Sequence, residues 1–294
     1  MYFEISDSIY FQTDSKHVFP TVSIIRRDFL VILHMKWGHI HMNFVLEDEN
    51  LGIEVTKAIQ TGDVSALECL LAAHHNLATA RIIAKGYHDE KSDAFGVSRT
   101  LLHVATDWPG HFPNGETVVR TLVESGAEVN ARFTGHHTET PLHWAASSND
   151  VEVLQALLDA GADINATGAV IAEGTPLDDA VAFGQWDTAR LLVENGAQTK
   201  LWNAAALGML DEVKTYYADA QLLPSAFETT QAFWLACHGG QLLVADYLFS
   251  QGADLNWVGY DGLTPLDAAV RNNKDVKLIE WLHGKDAHSA GDME

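Results

Sequence analysis

Apolar positions along this chain recur in two alternating patterns. One is a short stretch in which a leucine precedes paired alanines, as in Thr140-Pro141-Leu142-His143-Trp144-Ala145-Ala146. The other follows directly, with a leucine or valine three residues ahead of an apolar pair, as in Leu154 and Leu157-Leu158. The second spacing puts three apolar side chains on one face of a helix and predicts an amphipathic helix buried on that face. The first predicts a thin helix: Thr is a good N-cap, Pro fits the opening turn where its missing N–H costs nothing, and Ala keeps neighbours close. Gly161 closes the pair as a left-handed C-cap. The elements predicted are therefore short helices in antiparallel pairs.

The pair recurs. Thr100-Leu101-Leu102-His103-Val104-Ala105 closes on Gly126-Ala127-Glu128-Val129-Asn130, and Thr175-Pro176-Leu177-Asp178 closes on Gly196-Ala197. Thr264-Pro265-Leu266-Asp267-Ala268-Ala269 follows Gly252-Ala253-Asp254-Leu255-Asn256. Two degenerate copies lie between, around Trp202-Asn203-Ala204-Ala205 and Phe233-Trp234-Leu235-Ala236-Cys237, and an N-terminal copy runs from Val55 to Leu71. One such unit cannot bury its own apolar face, whereas stacked units share a continuous core.

These lines resemble the ankyrin-repeat family, whose units open on T-P-L-H-x-A-A, over roughly residues 50 to 285. The resemblance implies an all-α fold: an ankyrin-repeat solenoid, L-shaped, of about six to seven helix-turn-helix units joined by short β-hairpin fingers. It implies that His103 and His143 brace adjacent units, and that binding runs along the fingers and the concave face of the first helices. Carried over unit by unit, that face comprises Asp107 and Trp108; His136, His137, Glu139, Ser147 and Ser148; Ala182 and Phe183; Ala206 and Leu207; His238 and Gly239; and Tyr260, Asp261, Arg271 and Asn272.

Phasing sharpens the expectation. Unit starts at 100, 140, 175, 199, 231 and 264 are spaced 40, 35, 24, 32 and 33 residues apart. The long spacing comes from an insert at Asp107-Trp108-Pro109-Gly110-His111-Phe112-Pro113-Asn114-Gly115; the short one predicts a missing finger after Gly196-Ala197-Gln198. Residues 72–99 form a long connector. Trp202 and Trp234 fall on the motif's His position and are expected to pack, with ligand stacking as the sharper alternative. The last finger places Tyr260 at its tip and Trp257 near its base, and Asp261-Gly262 is a favoured turn pair.

Residues 1–46 do not repeat and are read as a poorly ordered extension or a translated leader ahead of Met35 or Met42, with a cover for the first unit as the functional alternative. Residues 47–285 form the repeat domain and 286–294 a frayed tail. The extension carries four basic and four acidic residues, so the whole formal charge of -22 belongs to the remainder. Such acidity opposes binding to phosphate backbones and favours solubility. Cys69 and Cys237 form no C-x-x-C pair, and no apolar run is long enough for a membrane span or a signal core; the expectation is a cytoplasmic, monomeric protein.

Phosphate loops, H-E-x-x-H, G-x-S-x-G and EF-hand patterns are all missing from the sequence, so neither enzyme activity nor a metal or cofactor is expected. His34, His39 and His41 lack regular ligand spacing. One constellation carries a competing reading. Asp107, Trp108 and His111 on the insert, His136, His137 and Glu139 on the next finger, and Trp144, with Asp178 and Asp179 at the edge, could hold a metal or serve a hydrolytic enzyme; a polar-aromatic docking surface is the reading preferred, and a structural spacer the third. The partner expected is another protein, bound through Asp107, Trp108, His111, His136, His137, Glu139, Trp144, Ser147, Ser148, Phe183, Leu207, His238, Trp257, Tyr260, Asp261 and Arg271.

Overall fold

A computed structural model describes residues 21–27, 30–37, 40–83, 97–272 and 275–293, with side chains from Phe44 onward and that of Asn272 excepted. The side chains of His34, His39 and His41 and that of Asn272 thus lie outside those described. The chain divides into two compact units, Met1–Glu173 and Gly174–Glu294.

In the first unit, strands β1 (Thr21–Arg27), β2 (Leu30–Trp37) and β3 (Ile40–Leu46) form an antiparallel meander. Helices α1 (Asn50–Thr61) and α2 (Val64–Ala73) follow, and then β4 (Arg81–Ile83) pairs parallel to β3, with Phe44 opposite Arg81 and Leu46 opposite Ile83. The first helix pair is therefore the crossover between two parallel strands, the kind of connection such pairing requires. β5 (Ser98–Thr100) closes the sheet in the order β1-β2-β3-β4-β5. The extension read from sequence as poorly ordered thus contributes strands. Nothing in the repeat pattern announced them, because their sheet is completed by Arg81–Ile83 and Ser98–Thr100, far along the chain. Phe44, Val45, Ile82 and Ile83 are buried where the sheet meets the repeats.

The remaining helices of this unit are α3 (Leu101–Ala105) and α4 (Gly115–Glu124), then α5 (Pro141–Ser147) and α6 (Val151–Asp159). α3 packs on α1 and on α5, and α4 packs on α2 and on α6. The Leu and Ala positions predicted for the core, among them Leu102, Leu122, Leu142, Ala145, Leu154 and Leu157, are fully buried.

The second unit contains α7 (Pro176–Ala182), α8 (Trp186–Glu194), α9 (Leu201–Ala206), α10 (Leu210–Thr215), α11 (Ala226–His238), α12 (Leu242–Ser250), α13 (Pro265–Asn272) and α14 (Val276–Gly284). α11 packs on α9, α12 and α13, around a core that includes Phe233, Ala236, Val244, Leu248, Ala269 and Leu278. The fold is the helix-rich ankyrin fold the repeats predicted, with the five-stranded sheet in addition.

Three details depart from the repeat phasing. α9 is capped at Lys200, one residue after the start read from sequence, so that Asn203 and not Trp202 takes the motif's His place: its Oδ1 accepts from Lys200 N at 2.9 Å. α11 begins at a Ser225 cap, ahead of the repeat's own start near Gln231, because Ser225 and Glu228 form a capping box that recruits an additional turn. The tail is held where fraying was expected: Ala287 is buried, His288 N donates to Asn256 Oδ1 at 2.8 Å, and Ala290 N donates to Asp267 Oδ2 at 2.8 Å. Among the described residues no helix is long and apolar enough to cross a membrane.

Candidate binding surface

The motif's fourth position does the joining. In α3, His103 Nδ1 accepts from Thr100 N at 3.3 Å, which leaves the proton on Nε2 to be donated to Glu139 O at 3.1 Å, the residue just before the next cap. His143 Nδ1 likewise accepts from Thr140 N at 3.1 Å. Burial pushes the His103 imidazole down to about 3, so it is neutral. Trp234 performs the same task with its indole, donating Nε1–H to Leu263 O at 2.9 Å, again the residue before a cap. It is a bracing residue at the His position and does more than fill space.

Where the fourth position is an acid it can only accept, and the partners change accordingly. Asp178 Oδ2 accepts from Thr175 N at 2.8 Å and from Lys200 Nζ at 2.6 Å, while Oδ1 accepts from Trp202 Nε1 at 2.9 Å and Asn203 Nδ2 at 3.0 Å. Burial alone would raise this carboxyl; the bonds from Lys200, Thr175 N, Asn203 and Trp202 outweigh it and hold it below the ordinary carboxylate value. Trp202 is thereby a donor to Asp178, at a unit boundary that lacks a finger.

Glu139 is the centre of the first unit's polar-aromatic cluster. Its carboxylate accepts from Trp144 Nε1 at 2.7 Å and from Val170 N at 2.9 Å, and His137 Nδ1 lies 3.1 Å away. Phe133 stacks on His137 at 4.4 Å between centroids, and Trp144 meets His103 edge-on at 4.9 Å. Glu139 is buried, so the cluster fixes the finger and leaves an outer rim of His136 and half-buried His137. Phe133 and Val170 are members that the sequence pattern did not reveal; the only signal was their place on neighbouring fingers.

The insert residues are engaged elsewhere. Asp107 Oδ2 pairs with Arg99 at 2.5 Å, and Arg99 also reaches Glu47 at 2.8 Å. Burial raises the Asp107 carboxyl despite Arg99. His111 donates its backbone N–H to Asp150 Oδ2 at 2.6 Å and its ring contacts Ser148 O at 3.1 Å. Trp108 gives its backbone N–H to Asp107 Oδ1 at 3.0 Å, while its ring stands outside these bonds, the residue being 81% exposed. Among the described residues no three His, Cys, Asp or Glu side chains converge as metal ligands. The His/Asp constellation offered as a metal site is thus divided: Glu139, His137 and Trp144 come together, while Asp107 and His111 bond to other partners.

Ser147 and Ser148 turn their hydroxyls back to Trp144 O at 3.1 and 2.7 Å. In the second unit Phe183 is exposed and Leu207 half-buried, whereas His238 and Ala206 are buried. The His238 ring contacts Val181 O at 3.1 Å, stacks on Trp234 and meets Trp186 edge-on; burial pushes it down to about 4. Gly239 allows a close approach: a Cβ there would sit 1.9 Å from Ala206 O. These three positions pack helix against helix and offer no side chain to a partner. Tyr260 meets Trp257 and Trp234 edge-on and accepts from Gln231 Nε2 at 2.7 Å, and Arg271 pairs with Asp261 at 2.7 Å.

Two family models described as ankyrin repeats match this chain. The three-copy model matches residues 55–168 and 114–203, and the many-copy model matches residues 233–283. No curated protein matches. Among solved structures the chain is similar to the human ASB11 ankyrin repeat domain, at 20% identity and a TM-score of 0.45, with 80% of this chain and 98% of that one covered.

Proposed function

Because the chain belongs to the ankyrin-repeat family, whose members are in general protein-interaction modules, we propose that it is a non-catalytic module that binds one protein partner through its finger tips and the exposed ends of its first helices. The observation that carries this reading is the pairing of exposed aromatics with rigid backbone. Trp108 projects from an insert held by Gly110 N to Asp107 O at 2.7 Å and by His111 N to Asp150. Tyr260 projects from a finger closed by Gly259 N to Leu263 O at 2.9 Å. An aromatic side chain on a fixed turn loses few rotamers on binding and makes a good anchor. Asp107, His111, His136, His137, Glu139, Trp144, Ser147 and Ser148 support the first anchor. Phe183, Leu207, Trp257, Asp261 and Arg271 belong with the second, and buried His238 supports it only from within. Acidity makes a nucleic acid a poor ligand, and two distant cysteines, Cys237 buried, suit a reducing, cytoplasmic setting.

The test is affinity capture with the full chain beside Trp108→Ala and Tyr260→Ala, followed by direct titration of whichever polypeptide is retained. Loss of a hot-spot aromatic is expected to weaken binding by a factor of ~30 or more, on the order of 2 kcal/mol. A partner held equally well by the double variant, or no partner at all, sinks the assignment.

A further inference from the structure

The additional turn of α11 and the last finger build a surface that ordinary repeats lack. Asp254 N donates to Thr230 Oγ1 at 3.0 Å and Gln231 donates to Tyr260, so the finger lies along the first turns of the helix. Phe227, at the helix start, meets Trp257 edge-on at 5.9 Å, and Trp257 meets Tyr260 at the same distance. Phe227 is 58% exposed, Val258 is exposed on the finger, and the loop entering the helix exposes Leu222 and Leu223. A soluble domain seldom leaves so many large apolar side chains in one place without a use.

The stretch of sequence that builds this surface carries charge of one sign. From Tyr216 to Leu263 the sequence carries five acidic residues, Asp219, Glu228, Asp246, Asp254 and Asp261, and no Lys or Arg. Asp219, Glu228 and Asp254 are exposed, and among the described residues none of the three has a cation within ion-pair distance. Only Asp261 is answered, by Arg271. Carboxylates without a cation, on the segments that carry the aromatic rings, suit a ligand that brings apolar anchors and cations together, since guanidinium groups pair with carboxylates and stack on ring faces.

We infer that the ledge formed by Phe227, Trp257 and Tyr260 docks a basic polypeptide segment in which arginine or lysine alternates with large apolar residues. This rests on the binding-module reading and gives it a partner class. The apolar side chains cover the ledge, and the cations face Asp219, Glu228 and Asp254.

The experiment titrates the full chain with three synthetic peptides of equal length that alternate leucine with arginine, glutamate or glutamine, read by tryptophan fluorescence and calorimetry. The arginine peptide is expected to bind saturably and at least ~10-fold more tightly than the glutamine peptide, with affinity falling as salt is raised, and the glutamate peptide not to bind. Phe227→Ala with Trp257→Ala should weaken the arginine peptide at least ~10-fold. A second variant, Asp219→Asn, Glu228→Gln and Asp254→Asn, keeps every backbone bond these side chains accept and should lower affinity and remove most of the salt dependence. Arginine-peptide binding that survives both variants overturns the ledge but leaves the module reading standing. Equal binding of all three peptides, or of none, also overturns the ledge, and capture with the Trp108 and Tyr260 variants then decides the module reading by itself.

Discussion

Two buried imidazoles make stability depend on pH. His238, ordinarily near 6.5, is pushed down to about 4, by burial first and against the pull of its bond to Val181 O; His103 is pushed down to about 3. Between those values and 6.5 the unfolded chain binds protons that the folded chain refuses. The contribution is therefore complete above about pH 6.5 and is lost as pH falls through that window, at up to ~1.4 kcal/mol per pH unit for each histidine. Urea unfolding from pH 7 to 4.5 should show stability declining on acidification, and His238→Gln should flatten the decline by about one proton; parallel slopes for the two proteins would refute the assignment. Trp234 tests the same position from the other side. Trp234→Phe keeps the aromatic contacts with His238 and Tyr260 but removes the N–H given to Leu263 O, leaving that half-buried carbonyl with the Gly259 N–H alone. The expected cost is ~0.5–1.5 kcal/mol by equilibrium unfolding, the net value of one hydrogen bond, and a neutral result would mean that ring packing alone matters there.

At the scale of the element, four of the helix pairs, α3/α4, α5/α6, α7/α8 and α11/α12, end on the same conformation. Gly126, Gly161, Gly196 and Gly252 take φ of +98°, +88°, +90° and +94°, and a Cβ added at any of them would meet nothing within 4 Å. Substitution by alanine therefore costs backbone strain and no clash, about 1 kcal/mol for each site, and sites in separate pairs should add. Gly161→Ala and Gly252→Ala, singly and together, would show this in urea midpoints; a double variant no worse than either single one contradicts it. These glycines, the Thr-Pro starts and the Leu pairs were legible in the sequence because each repeats a local rule. What was not legible depends on partners set by the fold. The strands β1 to β3 acquire their fourth neighbour only from Arg81–Ile83, far along the chain. The displaced cap of α9 follows from Asn203 and Trp202 both serving Asp178, a demand that an alanine pair does not reveal. Of the expected surface, Trp108 and Tyr260 are exposed, because insert and finger tips have nowhere to bury a ring, while His238, Ala206 and Gly239 went into packing once α9 and α11 came close. Asp178→Ala should expose that dependence, leaving Lys200, Trp202 and Asn203 without their acceptor at a cost of ~2–4 kcal/mol, read by chemical denaturation.

For the whole chain, two electrostatic effects oppose each other. A formal charge of -22 repels itself and favours expansion, while local pairs such as Arg99 with Glu47 and Asp107, Lys200 with Asp178, and Arg271 with Asp261 favour the folded state. Salt screens both, but unequally. The repulsion acts between exposed carboxylates over distances comparable with the Debye length, which shrinks from roughly 30 Å at 0.01 M to about 8 Å at 0.15 M salt. The pairs act at contact, and Lys200 with Asp178 is sheltered by burial of the carboxylate, so screening removes less of them. With 40 acidic residues against 18 basic ones, most carboxylates have no cation to pair with, and repulsion outweighs the attraction. Sodium chloride raised across that range at pH 7.5 should therefore raise the urea midpoint, and the gain should be smaller in the Asp219→Asn, Glu228→Gln, Asp254→Asn variant, whose stretch of like charge has been diluted. A midpoint that falls with salt would mean that the contact pairs dominate and that the acidic surface costs the fold little.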